Sequence, residues 1–307
     1  MKNDKKKSTE ENDFTYCKYM PLDTLDKILM NGTLRMSSHD SFNDPFDCNF
    51  AGYTHKAKLA SIIIPLLEKE IPDLRSNYVK SFNPIRNLIT INDESEFKDL
   101  ILTSLEEVRN GWDDYLSNYR VLCLTKKKDN ILLWSHYAEH HKGAVLCFNF
   151  EKDRFFSNIK KVAYPEIDDS VSKTVMGSLN EMVRFVVKDK KRDLNDSLDF
   201  LSGLLDKKRF SEVIVNYFLK DFSRFFFIKK IEWAYENEYR LVVPKKDDGP
   251  LDIEFKKEYL KEVNLGVKFP EDKKEFFIER VSEKFPAAKI FTASKYNSEI
   301  KFSPIVK

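Results

Sequence analysis

The sequence predicts an α+β fold: one domain of mixed central β-sheets carrying helical insertions. Three observations predict it. The chain opens strand–helix–strand, with Pro21 entering the helix and Asn31-Gly32 leaving it. Asn130–Phe150 reads as a short helix, a glycine stop and a strand that is apolar almost throughout. Residues 167–228 carry no strand-like run and read as inserted helices. A chain of 307 residues has interior enough for a sizeable core.

Taken in order, residues 1–12 are polar and charged, a disordered tail. Residues 13–307 form the domain. Phe14–Met20 is the first strand. Pro21 sits at the first helical position, where its missing N–H costs nothing, and Leu22, Leu25, Ile28 and Leu29 form the apolar stripe. Thr33–Ser37 is the second strand. Asn43-Asp44-Pro45 is turn chemistry between Phe42 and Phe46, and such flanking aromatics suggest a loop packed against something. The loop is read either as a plain turn or as a site loop presenting Asn43, Asp44 and Asp47. Insertions are expected at about 55–112 and 167–228, with helices over 57–70, interrupted by Pro65, and over 94–110. Arg120–Thr125 is a strand, and a short one follows near 160–164. The last inserted helix carries Phe218, Phe222, Phe225 and Phe226. Strands are expected at Glu238–Val243, Glu262–Val267, Lys289–Thr292 and Glu299–Phe302, with a helix over Pro270–Lys284.

Composition narrows the function classes. Apolar residues make up 42% and aromatic ones 13%, a globular balance. Glycines number 8, and neither GxGxxG nor GxxxxGKS/T occurs, which argues against glycine-rich phosphate loops. Lys and Arg number 52 against 50 Asp and Glu, so the net charge of +2 makes no case for nucleic acid or a membrane surface. A local basic patch stays open, since 33% of residues are charged. Cys17, Cys48, Cys123 and Cys147 are widely spaced with no CxxC pair, and are expected as reduced core thiols. The N-terminus has no apolar signal region and no run approaches the roughly 18 residues of a membrane span, so the expected location is cytoplasmic with no membrane partner.

Three constellations carry chemistry. Three of the five histidines lie at 136, 140 and 141. His136-Tyr137-Ala138-Glu139-His140 has the HxxEH spacing that puts two imidazoles on one helical face, as a metal hydrolase needs. Capping and surface roles for His140 and His141, in the last turn before Gly143, are the favoured reading, and no metal is expected. Glu236, Glu238 and Arg240 share a face if their strand begins at Glu236, with Arg240 placed to pair with Glu238. One reading is a surface ladder on an edge strand. The other is a carboxylate aimed into a cleft. On the first strand, alternation sets Cys17 and Tyr19 against Tyr16 and Lys18, and Lys18 reads as a snorkelling edge residue or a phosphate partner.

These motifs, over Tyr16–Asp47, Cys123–Phe148 and Trp233–Leu241, resemble an uncharacterised bacterial domain-of-unknown-function family with FNDPFD, WSHYA and WxYExEYR signatures. That likeness implies a role in phage defence. The element order is more distantly similar to the ADP-ribosyltransferase fold, whose sheet is split around a bound NAD. This second likeness implies NAD as a substrate and Lys18 or Tyr19 against its adenosine ribose, where the fold has His or Arg. It implies Tyr137, with Trp134 and His136 close by, against nicotinamide. It further implies Glu238 or Glu236 on the ribose hydroxyl, where a carboxylate favours charge developing at C1′. Its product would go to a macromolecular acceptor, protein or nucleic acid. A non-catalytic nucleotide- or ligand-binding module of a defence system, with a partner protein, is the alternative.

Overall fold

A computed structural model describes residues 15–48, 103, 106–151, 153–166, 222–245 and 251–306. In chain order the elements are β1 (Thr15–Met20), α1 (Leu22–Asn31), β2 (Thr33–Met36), α2 (Trp112–Ser117), β3 (Tyr119–Thr125), α3 (Ile131–Tyr137) and β4 (Ala144–Asn149), then β5 (Lys160–Lys161), β6 (Glu238–Pro244), β7 (Leu251–Glu254), β8 (Leu260–Leu265), α4 (Glu271–Lys284), β9 (Lys289–Tyr296) and β10 (Glu299–Pro304). The architecture is α+β, as the sequence predicts. Its large sheet is mixed, in the order β10-β9-β8-β4-β1-β3-β6-β5, and β2 pairs with β7 in a small second sheet. The β8–β9 pair is parallel because α4 carries the chain back between them. Among the described residues no helix is long and apolar enough to cross a membrane.

The chain divides into two compact units, Met1–Ser41 with Tyr119–Tyr164 and Ile231–Lys307, and Phe42–Asn118 with Pro165–Lys230. In the first unit the opening folds as its pattern dictates. Leu25, Ile28 and Leu29 recur at helical spacing and are all buried. Gly32 ends α1 with φ 67°, the left-handed conformation a Cβ disfavours. Pro21 stands one position before the first helical residue, not on it. The main core fills one face of the large sheet. There Leu25 and Leu29 of α1 and Phe277 and Val281 of α4 meet Leu122, Leu124, Leu146, Phe148 and Leu241. On the other face Leu133 and Trp134 of α3, with Ala138 just after it, pack over Cys17, Tyr19, Val145 and Cys147.

Some expectations shift. The central helix stops at Tyr137, and Ile131 and Leu132 on its first turn are 49% and 47% exposed. A helix of seven residues buries one narrow stripe, and Leu133 and Trp134 take it. Strand β7 carries no signal strong enough to be read from sequence, and β9 runs on to Tyr296 because β10 pairs with it along its length. Cys17 and Cys147 stand opposite each other on β1 and β4 and form a disulfide, where reduced thiols were expected. No spacing rule links two cysteines 130 positions apart. Cys48 and Cys123 are free. The tail, the helices at 57–70 and over most of 94–110, and the insertion at 167–221 lie outside the described residues.

In the second unit the indole Nε1 of Trp112 donates to the Cys48 carbonyl at 2.9 Å, and its ring meets Phe225 edge-on at 5.0 Å. The Phe225-Phe226 pair is buried within a 3-10 turn, Phe222–Phe227. Asp44 accepts from the Phe46 N–H at 2.9 Å, the Asx turn that its sequence predicts. Phe46, expected to anchor the loop, is 54% exposed, with the Lys230 ammonium 4.3 Å from its ring centre. Asp47 is the buried partner of Lys229 at 3.3 Å.

Candidate functional site

The site grows from the place where β1 and β3 part. The two strands are in register at Cys17↔Thr125. Four residues away along β3, Val121 exchanges both backbone hydrogen bonds with Ser37, at 2.8 and 2.9 Å. Between these points the Cys123 carbonyl accepts from Lys18 Nζ at 3.3 Å. Lys18 is therefore no edge residue. It belongs to the inner strand β1, and its ammonium reaches across to the carbonyl of the neighbouring inner strand β3.

Burial pushes the Lys18 ammonium below the ordinary lysine value, opposed by Cys123 and Glu238 beside it. Burial pushes the Cys123 thiol up, and the Glu238 carboxylate adds to this while Arg240 and Lys18 oppose it. Glu238 and Arg240 form a two-pronged ion pair, Nε to Oε1 and Nη2 to Oε2, both at 2.8 Å. Arg240 is fully buried and Glu238 is 5% exposed. The sequence anticipates the pair, but β6 is flanked by β3 and β5, so it is no surface ladder on an edge.

Glu236 departs from the expected strand face. Residues Ile231–Glu236 form a 3-10 turn, and Asn237 at φ 44° breaks it from β6, which starts at Glu238. Asn is among the few residues that tolerate this conformation, and the turn swings Glu236 off the face it would share with Glu238. There the Tyr137 hydroxyl donates to Glu236 Oε1 at 2.6 Å. Thr125 Oγ1 donates to the Glu236 carbonyl at 2.7 Å, fastening the turn to the end of β3. Glu236 is 4% exposed.

Asn130 ties these pieces together. Its Oδ1 accepts from the N–H groups of Leu132 and Leu133, capping α3, while its Nδ2 donates to the Tyr235 carbonyl at 2.8 Å. Its own N–H donates to the Tyr19 hydroxyl at 3.3 Å, which in turn donates to the Lys127 carbonyl. One side chain thus joins the helix bearing Tyr137 to the turn bearing Glu236. An Asn just before an apolar helical run is a cap signal in sequence. Its second bond is invisible there, as are the roles of Thr125, Cys123 and Tyr164, whose hydroxyl accepts from the Glu238 N–H at 2.9 Å.

Lys18, Glu238 and Arg240 gather around Cys123, and the Tyr137–Glu236 contact is tied to the end of the same strand through Thr125. Trp134 and Tyr19 pack edge-to-face beside it, 5.4 Å between ring centres. Trp134 is fully buried with its Nε1 donating to the Lys128 carbonyl, so its indole offers no face to a ligand. His136 is exposed on α3, its ring 6.3 Å from that of Tyr137. His140 lies beyond the helix end, so the shared helical face that HxxEH requires is not formed. Among the described residues no group of three or more His, Cys, Asp or Glu side chains is placed to hold a metal ion. Asn43 and Asp44 belong to the second unit, Asn43 exposed and Asp44 buried.

Residues 133–241 match the family model described as "Protein of unknown function (DUF2971)". The DUF2971 match runs from α3 to β6 and so contains Tyr137, Glu236, Glu238 and Arg240, while Lys18 and the Asn43-Asp44 loop lie before it. The description of DUF2971 names no activity. No curated protein and no solved structure matches the chain.

Proposed function

We propose that this protein consumes NAD in an ADP-ribosyl transfer, acting as an effector in bacterial anti-phage defence on a macromolecular acceptor. The observation that carries the reading is the 2.6 Å contact between Tyr137 and Glu236. It joins a phenol from a helix to a carboxylate from a turn. The resemblance of element order to the ADP-ribosyltransferase fold supports it. In the reaction the bond from ribose C1′ to the nicotinamide nitrogen breaks and its electron pair leaves with nicotinamide. An acceptor nucleophile then forms its bond to C1′ and gives up its proton. Glu236 or Glu238 offers the negative charge that stabilises the cationic sugar, and Tyr137 orients Glu236. The bond to Tyr137 favours Glu236 for that role.

The test incubates purified protein with NAD and a cell lysate, reading free nicotinamide and ADP-ribose adducts. Nicotinamide release by the wild type, lost in Glu236→Gln, supports the reading. No release and no adduct ends it.

A second reading, a ligand-binding sensor that turns nothing over, is favoured by the near-complete burial of both carboxylates. It predicts that NAD or another nucleotide raises the melting temperature and is recovered intact.

A further inference from the structure

Immediately after α3 the backbone takes three consecutive left-handed residues, Glu139, His140 and His141, with φ of 49°, 53° and 72°. None is glycine, so each carries a steric penalty that its surroundings must enforce. The enforcement is visible. The N–H of His141 donates to the Trp134 carbonyl and that of Gly143 to the Ala138 carbonyl. The His141 carbonyl accepts from the backbone N–H of Lys268 at 2.9 Å. Gly143 and Gly266 let neighbouring backbone in so close that a Cβ on either would collide with a carbonyl oxygen, of Met20 and of His141 respectively. The turn is therefore rigid, and it presents His140 and Lys142 outward.

Positive charge gathers around it. The His141 ring lies parallel to Trp134 at 6.2 Å, half exposed. Lys268, exposed, follows the strand that pins the turn. Lys295 pairs in register with Ile300, which packs against the Leu133–Trp134 cluster, so Lys295 shares the face covered by α3. Burial lowers the pKa of His141, and Lys268, Lys295 and His140 lower it further, so these cations feel one another. Lys128 on the same face is paired with Glu262 and adds no net charge. The acidic residue of the turn faces elsewhere. Glu139 lines a separate cavity of about 640 Å³ with Asp23, Asp26, Asp272 and Lys273. Lys268 and Lys295 thus set positive charge beside the His141 ring, an arrangement that suits an anionic partner.

We infer that the surface formed by His140, His141, Lys142, Lys268 and Lys295 binds single-stranded nucleic acid. The lysines track phosphates, and the outer face of His141, backed by Trp134, stacks a base. Binding does not depend on the NAD reading and is measured without NAD.

The experiment is fluorescence anisotropy of the full chain with a labelled single-stranded DNA oligonucleotide over a salt series. Affinity falls linearly in log–log form with salt. The double variant Lys268→Glu/Lys295→Glu weakens binding by at least about tenfold and makes the salt slope shallower by roughly 1.4, two phosphate contacts at about 0.7 each. His141→Ala weakens binding by about tenfold through lost stacking. Lys27→Glu on α1 leaves it unchanged, and circular dichroism verifies that each variant is folded. Absence of binding by the wild type overturns the inference, as does a double variant that binds like the wild type. Tighter binding to duplex of the same sequence overturns the single-strand assignment. Equal binding of polyglutamate, lost in the same variants, assigns the surface to acidic proteins and overturns it too.

Discussion

Tyr137 and Glu236 lie 99 positions apart and meet at 2.6 Å, phenol to carboxylate, with the carboxylate almost fully buried. Replacing Tyr137 by Phe keeps the ring and removes the donor. We expect a stability loss of about 1–3 kcal/mol in urea melts, the cost of a buried carboxylate stripped of one bond. Nicotinamide release should fall at least about tenfold in the same variant. Full release in Tyr137→Phe would mean that the phenol has no part in orienting Glu236.

The Glu238–Arg240 pair calls for a different signature. Truncating Arg240 to Ala leaves a carboxylate in the interior without its two-pronged partner and should cost about 3–5 kcal/mol. The double variant Glu238→Leu/Arg240→Met should lose less than the two single changes added together, because neither member of this pair is left facing the place of the other. Chemical denaturation of the four proteins of this cycle measures it, and simple additivity would mean that the two groups act independently.

Lys18 makes stability depend on alkaline pH. Burial lowers its pKa in the fold, so the unfolded chain holds that proton more readily. The associated stability is complete above the unfolded value of about 10.4 and is lost as pH falls through the folded value. Relative to Lys18→Met, the wild type should therefore gain unfolding free energy as pH is raised from about 7 to about 10.5. Comparing the two proteins cancels most of the opposing alkaline titration of Tyr19 and Cys123, whose folded values are raised. A difference that stays flat with pH would show Lys18 to be as easily protonated in the fold as outside it.

The Cys17–Cys147 disulfide closes a loop spanning 130 positions of sequence. A cross-link of that span restricts the unfolded chain strongly, by about 3–5 kcal/mol. Dithiothreitol should lower the melting temperature of the wild type and leave that of Cys17→Ala/Cys147→Ala unmoved. Equal melting of reduced and oxidised wild type would refute this.

Elements whose signal is local were legible in the sequence. Pro21, the Leu25–Leu29 stripe and Gly32 specify α1, and the unbroken apolar run of β4 marks a strand covered on both faces. The Glu238–Arg240 pairing was legible as well, because alternation along one strand suffices to place both on one face. Other features were not. Asn237 takes a left-handed turn that detaches Glu236 from β6, and the 139–141 turn ends α3 well before Gly143. Both are enforced by neighbours distant in sequence, Thr125 for one and Gly266 for the other.

By itself, then, the sequence determined the α+β class, most of the strands and the residue types that carry chemistry, since periodicity and turn chemistry act within a few residues. Tertiary structure alone decided that Cys17 meets Cys147, that Lys18 of β1 reaches across to the Cys123 carbonyl of β3, and that Tyr137 reaches Glu236. Each of those contacts joins segments that no local pattern relates. They exist because strand order in the large sheet and the packing of α3 against it bring those segments to one place.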